Sequence, residues 1–250
     1  MSILPDPCLI NSGAGVPGWA YSRIVGNSIQ WWLDPGFVAF DTETTGTNPE
    51  SDRIVTAAAV HFRDGQPVES RSWLLRIDIP IPPRATEVHG ITDEMSQSQG
   101  IEQAEALAEI HAFLTSNNLP LVAFNSSFDI AMLNMNMKRL NLPALTEPIS
   151  PPIICPYVLD KQFNKYVRGK NQRRLMPTIE RYGLTFDEAN WHGAEADATI
   201  TGQLLLAEFA AYEQLHELSP QELSEQVEQW RAQQDAEFQA WLAAKKAEES

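Results

Sequence analysis

Apolar residues in the first half of the chain fall into short runs. Phe37 to Phe40 is a continuous apolar run bounded by Pro35-Gly36, the pattern of a strand buried on both faces, and it leads directly into Asp41. Ile54 to Phe62 and Ser70 to Ile77 read as two further strands, and the Asp64-Gly65 pair between them predicts a hairpin. After a Pro-rich stretch at 80–83, Ile101, Ala104, Leu107, Ala108 and Leu114 recur at helical spacing. Leu119 to Phe124 then reads as a buried strand, Phe128 to Leu140 as a helix, and Ile153-Ile154 as part of another strand. Ala194 to Tyr212 predicts a long helix with Leu204, Leu205 and Phe209 available to the core. An α/β fold follows, with a mixed sheet flanked by helices.

The two ends differ from this body. Residues 1–35 are rich in Pro, Gly, Ser and Asn and lack periodicity, although Trp19, Trp31 and Trp32 must pack somewhere. At the other end, Ser219-Pro220-Gln221-Glu222 combines an N-cap, a proline at the first helical position and a capping-box acid. A helix to about residue 246 is predicted, with Leu223, Val227, Trp230, Phe238, Trp241 and Leu242 forming an interrupted stripe. Packing onto the body and docking onto a partner protein are both compatible with that stripe. The expected organisation is an irregular segment 1–35, a central domain 36–215 and a helical extension 216–250.

Composition narrows the function class. With 250 residues and 43% hydrophobic content the chain can bury a full core. No run of about 18 uncharged apolar residues and no basic leader followed by an apolar stretch occurs, so neither membrane insertion nor secretion is indicated. The two cysteines, Cys8 and Cys155, are far apart, which signals neither a disulfide framework nor a zinc site; a reducing cytoplasm is the expected compartment. A formal charge of −15 argues against a protein that coats nucleic acid. The basic residues are nonetheless concentrated, since Lys161, Lys165, Arg168, Lys170, Arg173, Arg174 and Arg181 are opposed in that window only by Glu180. A solvated surface and a phosphate-binding surface both fit such a cluster.

Three segments carry candidate chemistry. Asp41-Thr42-Glu43 ends the first strand, and alternation sends both carboxylates to one face. Thr44-Thr45-Gly46 follows as a loop able to offer N–H groups and close backbone approach. In the second segment, Asn125-Ser126-Ser127-Phe128-Asp129, a carboxylate stands at a helix start, where the macrodipole alone would also favour it. In the third, His192 stands five residues before Asp197, again at a helix start. Each is common in isolation.

Together and in this order, F-D-T-E-T-T-G at 40–46, N-S-S-F-D at 125–129 and H-G-A-E-A-D-A at 192–198 resemble the three motifs of the DEDDh exonucleases, particularly the epsilon proofreading subunit of bacterial DNA polymerase III and its stand-alone relatives. The resemblance covers residues 36–212. In the related DEDDy group a tyrosine precedes the last aspartate by four residues, and here that place is Gly193. The likeness implies a ribonuclease H-like fold on a five-stranded mixed sheet and 3′→5′ removal of nucleoside monophosphates from single-stranded DNA. It implies that Asp41, Glu43, Asp129 and Asp197 hold two Mg²⁺ or Mn²⁺ ions, hard cations suited to oxygen ligands, with His192 as general base.

His89-Gly90-Ile91-Thr92 looks like a family segment near the terminal nucleotide, so His89 joins Thr44, Asn125 and Phe128 as expected substrate contacts. Phe124 stands where the family often has a histidine. The stretch 161–174 resembles a segment preceding the third motif in some relatives, making Tyr166, Arg168 and Lys170 expected contacts to a single strand. Expected partners are a 3′ end of single-stranded DNA and a DNA polymerase or other replication protein. The alternatives are an RNA-trimming enzyme of the same family and a non-catalytic replication adaptor using the tail helix.

Overall fold

The computed structural model describes residues 30–116, 118–147, 150–185 and 193–248. Its centre is a mixed sheet of six strands in the order β4-β3-β2-β1-β5-β6. These are β1 (Phe37–Thr44), β2 (Ile54–Arg63), β3 (Gln66–Arg76), β4 (Ile101–Glu102), β5 (Leu121–Val122) and β6 (Ile153–Ile154). β1, β2 and β3 form an antiparallel meander. β5 lies parallel to β1, β6 parallel to β5, and β4 parallel to β3. The sequence reading of five strands is corrected to six: Ile101, assigned there to a helix, pairs instead with Leu75 on the sheet edge. A two-residue strand has too few alternations to stand out against a neighbouring helical pattern.

The Asp64-Gly65 turn closes the β2–β3 hairpin with φ of 51° and 71°, the left-handed pair that a type I′ turn requires. Alternation along β1 feeds two cores. Phe37 and Ala39 belong to one, with Phe62, Ala198, Leu205 and Phe209. Val38 and Phe40 belong to the other, with Leu107, Ile110, Met132 and Met137. The central strand is therefore buried on both faces, as its unbroken apolar run requires.

The helices are α1 (Pro83–His89), α2 (Asp93–Gln99), α3 (Gln103–Thr115), α4 (Ser126–Arg139), α5 (Pro156–Phe163), α6 (Leu175–Arg181), α7 (Ala194–Ala211) and α8 (Pro220–Glu248). The short α1, α2, α5 and α6 are not evident in the apolar pattern, because one or two turns give no sustained period. Helix α7 lies on the first face so closely that a Cβ at Gly202 would stand 2.3 Å from the Phe62 ring. Helices α3 and α4 cover the second face. Trp31 and Trp32 are buried in the first core, where the Trp32 ring stacks on Phe209 at 4.3 Å. Trp19 lies outside the described residues.

Helix α8 opens with the capping box read from the sequence: Ser219 N–H donates to the Glu222 carboxylate at 2.9 Å, and Glu222 N–H to Ser219 Oγ at 3.3 Å. Its first half docks on the body, burying Leu223 and Val227. Ser224 Oγ accepts the Ile153 N–H at 2.9 Å, satisfying the edge strand β6, and Gln234 donates to the Val158 carbonyl at 3.1 Å. Beyond Gln234 the stripe is exposed at Phe238 and Trp241, whose rings stack on each other at 5.9 Å. No helix among the described residues is long and apolar enough to cross a membrane.

Candidate active site

The acidic cluster forms where β1 ends. Asp41 and Glu43 share the parity of Phe37 and Ala39 and so face the side covered by α7, whose first turn carries Asp197. Carboxylate oxygens of Asp41, Glu43 and Asp197 all lie within 4.8 Å of one another. Thr42, with the opposite parity, faces the α4 side. Its hydroxyl donates to Asp129 Oδ1 at 2.7 Å, and both residues are buried. Asp129 stands in the first turn of α4, which begins immediately after Asn125 in a left-handed conformation (φ 60°, ψ 44°) that asparagine tolerates. One strand end thus gathers acids from the helices covering both faces of the sheet.

The electrostatics follow first from burial and then, at Asp41 and Glu43, from crowding. Burial raises Asp41 well above the ordinary carboxylate range, reinforced by the charges of Asp129, Asp197 and Glu43. Burial, then Asp197 and Asp129, pushes Glu43 up to about 8. Burial raises Asp129 to about 7 against the opposing Thr42 hydrogen bond, and raises Asp197 to about 6. Asp129 therefore acts within the same field although it lies outside the mutually 4.8 Å triad. Asp197 Oδ1 is buried without a hydrogen-bond partner among the described residues. An all-oxygen donor set with an orphaned carboxylate oxygen fits a hard divalent cation, which would stabilise the ionised forms.

The loop after β1 is held by a residue that the motifs did not single out. Asp52 accepts from Thr45 Oγ1 at 3.1 Å and from Asn48 N–H at 2.8 Å. A Cβ at Gly46 would stand 2.5 Å from Asp52 Oδ2, so only glycine lets this carboxylate fold under the loop. Thr42 was also missed, although its place between Asp41 and Glu43 already puts it on the opposite face.

The other expected residues divide. Thr44 Oγ1 donates to the Gly46 carbonyl at 2.7 Å, which shapes the loop. His89, at the end of α1, is buried and accepts the Ile91 N–H on Nδ1 at 3.1 Å, so its neutral ring carries the proton on Nε2. Burial lowers its pKa, partly offset by the adjacent Thr44 backbone, which places the ring at the same loop. Phe128 is half-buried against the second core, and Asn125 is exposed. Tyr166 is 88% exposed, with Arg168 and Lys170 exposed beside it. Arg173 and Arg181 of the same basic stretch instead pair with buried Asp160 at 2.9 and 2.7 Å, so part of that charge is structural. His192 lies outside the described residues.

The chain is similar to DNA polymerase III proteins in sequence and to exonucleases in fold. It is 32% identical to DNA polymerase III subunit epsilon of Treponema pallidum over 168 residues, 67% of this chain and 74% of that protein. It is 30% identical to the PolC-type DNA polymerase III of Mycoplasma genitalium over 165 residues, a match spanning 66% of this chain but only 11% of that much longer protein. Among solved structures, E. coli Exonuclease I in complex with a dT13 oligonucleotide superposes with a TM-score of 0.62 at 21% identity, over 72% of this chain and 42% of that one. Exonuclease X in complex with 5′ overhanging duplex DNA gives a TM-score of 0.55 at 22% identity, over 76% of this chain and 99% of that one. The RNase T-type exonuclease model matches residues 38–205, a span that contains Asp41, Glu43, Asp129 and Asp197, and the chain belongs to that exonuclease family.

Proposed function

We propose that the chain is a 3′→5′ exonuclease of the DEDDh type that removes nucleoside monophosphates from the 3′ end of single-stranded DNA. The carrying observation is the convergence of Asp41, Glu43 and Asp197 oxygens within 4.8 Å, from segments more than 150 positions apart, with Asp129 in the same field. These four carboxylates would hold two Mg²⁺ or Mn²⁺ ions. Such ions, when bound, neutralise charge on the reacting phosphate oxygens and lower the pKa of water. The chain's own residues supply the rest. Thr42 orients Asp129 by its 2.7 Å hydrogen bond, and Asp52 braces the loop beside Glu43. His192, five positions before Asp197, takes the proton from the attacking water, since its unperturbed pKa lies near neutrality. Thr44 follows Glu43 in the chain and His89 stands at the Thr44 backbone, where both would contact the terminal nucleotide. The name of the Treponema pallidum relative supports work alongside a DNA polymerase.

The test uses matched DNA and RNA oligonucleotides labelled at the 5′ end. Stepwise shortening of the DNA in Mg²⁺, abolished by Asp197→Ala, is expected. Undiminished cleavage by that variant, or release starting from the labelled end, would remove the proposed site or its polarity.

A further inference from the structure

Helix α8 brings a cation to Asn125, the residue from which the Asp129-bearing helix starts. Arg231 lies between Trp230, whose ring meets Phe163 at 5.7 Å, and the anchoring Gln234, so its backbone sits on the docked part of the helix. Its guanidinium donates from Nη2 to Cys155 Sγ at 3.1 Å and from Nη1 to Asn125 Oδ1 at 3.5 Å. The thiol is a weak acceptor and the amide contact is long, which leaves a group with five donors only lightly engaged. Asn125 is the residue from which α4 starts, with Asp129 in its first turn. Beside it, the Phe124 ring meets Tyr157 edge-on at 5.8 Å, and Lys161 Nζ stands 5.8 Å from the centre of the Tyr157 ring. Lys161 and Arg231 lie in each other's field, together with Arg173 and the acids Asp235 and Glu237. Among the described residues no carboxylate reaches ion-pairing distance of Arg231 or Lys161. In a chain of net charge −15, two such cations, one of them on the N-cap residue of the helix that carries Asp129, are placed to receive an anion.

We propose that Arg231 and Lys161, the first braced by Asn125 and the second oriented by Tyr157, form a phosphate-contact site for the nucleotide strand adjoining the acidic cluster. The C-terminal helix is then a wall of the substrate path. The guanidinium fork suits a phosphate better than an amide and a thiol. Asp235 and Glu237 limit the positive potential to a site of one or two phosphates rather than a broad coating surface. This inference rests on the exonuclease reading, because it takes the acidic cluster as the point where the strand ends.

The full-length chain is titrated with a 5′-fluorescein oligothymidylate by anisotropy across a salt series, and its kinetics are measured on the same strand. Arg231→Gln and Lys161→Gln should each weaken binding about tenfold and lower the salt slope by about one. KM should rise with kcat within about twofold, and hydrolysis of the 4-nitrophenyl ester of thymidine 5′-monophosphate, which has no strand to extend, should be unchanged. Arg231→Lys should retain most of the affinity. Unchanged affinity and salt slope in both glutamine variants would overturn the proposal, as would an Arg231→Lys variant as defective as Arg231→Gln with a matching drop in Tm. Wild-type chain that binds the strand without degrading it would sink the exonuclease reading alone, leaving the binding difference to test the contact site.

Discussion

Asp160 and the Asp41 cluster are both acidic centres withdrawn from solvent around α7, and they treat their charge in opposite ways. Asp160 is 1% exposed and receives Arg173 at 2.9 Å and Arg181 at 2.7 Å, while Asn164 donates to its other oxygen at 2.9 Å. Two built-in cations settle that carboxylate. At the end of β1, Asp41, Glu43 and Asp197 crowd within 4.8 Å; burial raises the pKa of all three, and neighbouring carboxylate charges raise Asp41 and Glu43 further. Glu208, on α7 near Asp160, is a third case: both its oxygens are buried without hydrogen bonds among the described residues, and burial followed by the Asp160 charge holds it well above the ordinary range. A carboxylate answered by arginine serves the fold, a single one held alone by burial is tolerated by it, and a crowd with no cation paired to it among the described residues is arranged for an external one.

The contrast breaks most sharply at Asp41. Asp41→Asn should lower Mg²⁺-dependent nuclease activity about a thousandfold, the scale of losing one preorganised charge-stabilising group, while raising Tm in chelator because a buried carboxyl crowded by other acids is gone. An unchanged or lower Tm in calorimetry would contradict crowding as the source of strain. Asp160→Ala should do the reverse, costing about 3–5 kcal/mol in denaturant unfolding by leaving two arginines without their acid. Thr42→Val, which removes the hydroxyl bond to Asp129, should weaken Mn²⁺ binding in isothermal titration by about 10–100-fold.

The pH dependence sharpens the same difference. Folded Glu43 titrates at about 8 rather than 4.5, and Asp197 at about 6 rather than 3.8, so the folded state binds more protons than the unfolded one across that window. Stability in chelator should therefore fall as pH rises from about 4.5 to about 8, with Tm dropping several degrees. Added Mg²⁺ should recover most of it at pH 8 and little at pH 5. The smallest effect is expected at Glu208→Gln, which replaces a carboxyl that burial holds well above its ordinary range with a neutral near isostere and should change unfolding free energy by about 1 kcal/mol or less at neutral pH.

Legibility in the sequence tracked the length of each pattern. The buried β1 run, the Asp64-Gly65 hairpin, α7 and the α8 capping box were all readable, because each repeats a period or uses turn chemistry specific to one geometry. Strand β4 and helices α1, α2, α5 and α6 were not, being too short to show a period. The basic stretch was read as one unit and proved to be two, with Arg173 and Arg181 turned inward to Asp160 and Arg168 and Lys170 left exposed. Charge type is written in the residues, but its use depends on which acid the fold places opposite.

By itself the order of residues determined the family, the identity of the acids and the face that Asp41 and Glu43 share, since alternation along a strand is a local rule. Only the tertiary structure decided that α7 brings Asp197 to those two acids while Thr42 tethers Asp129 from the other face. It also decided that the tail stripe divides at Gln234 into a docked half carrying Arg231 and an exposed half bearing Phe238 and Trp241. The physical reason is that such contacts join residues 87 or 106 positions apart, and no local propensity encodes which distant surface will bury them.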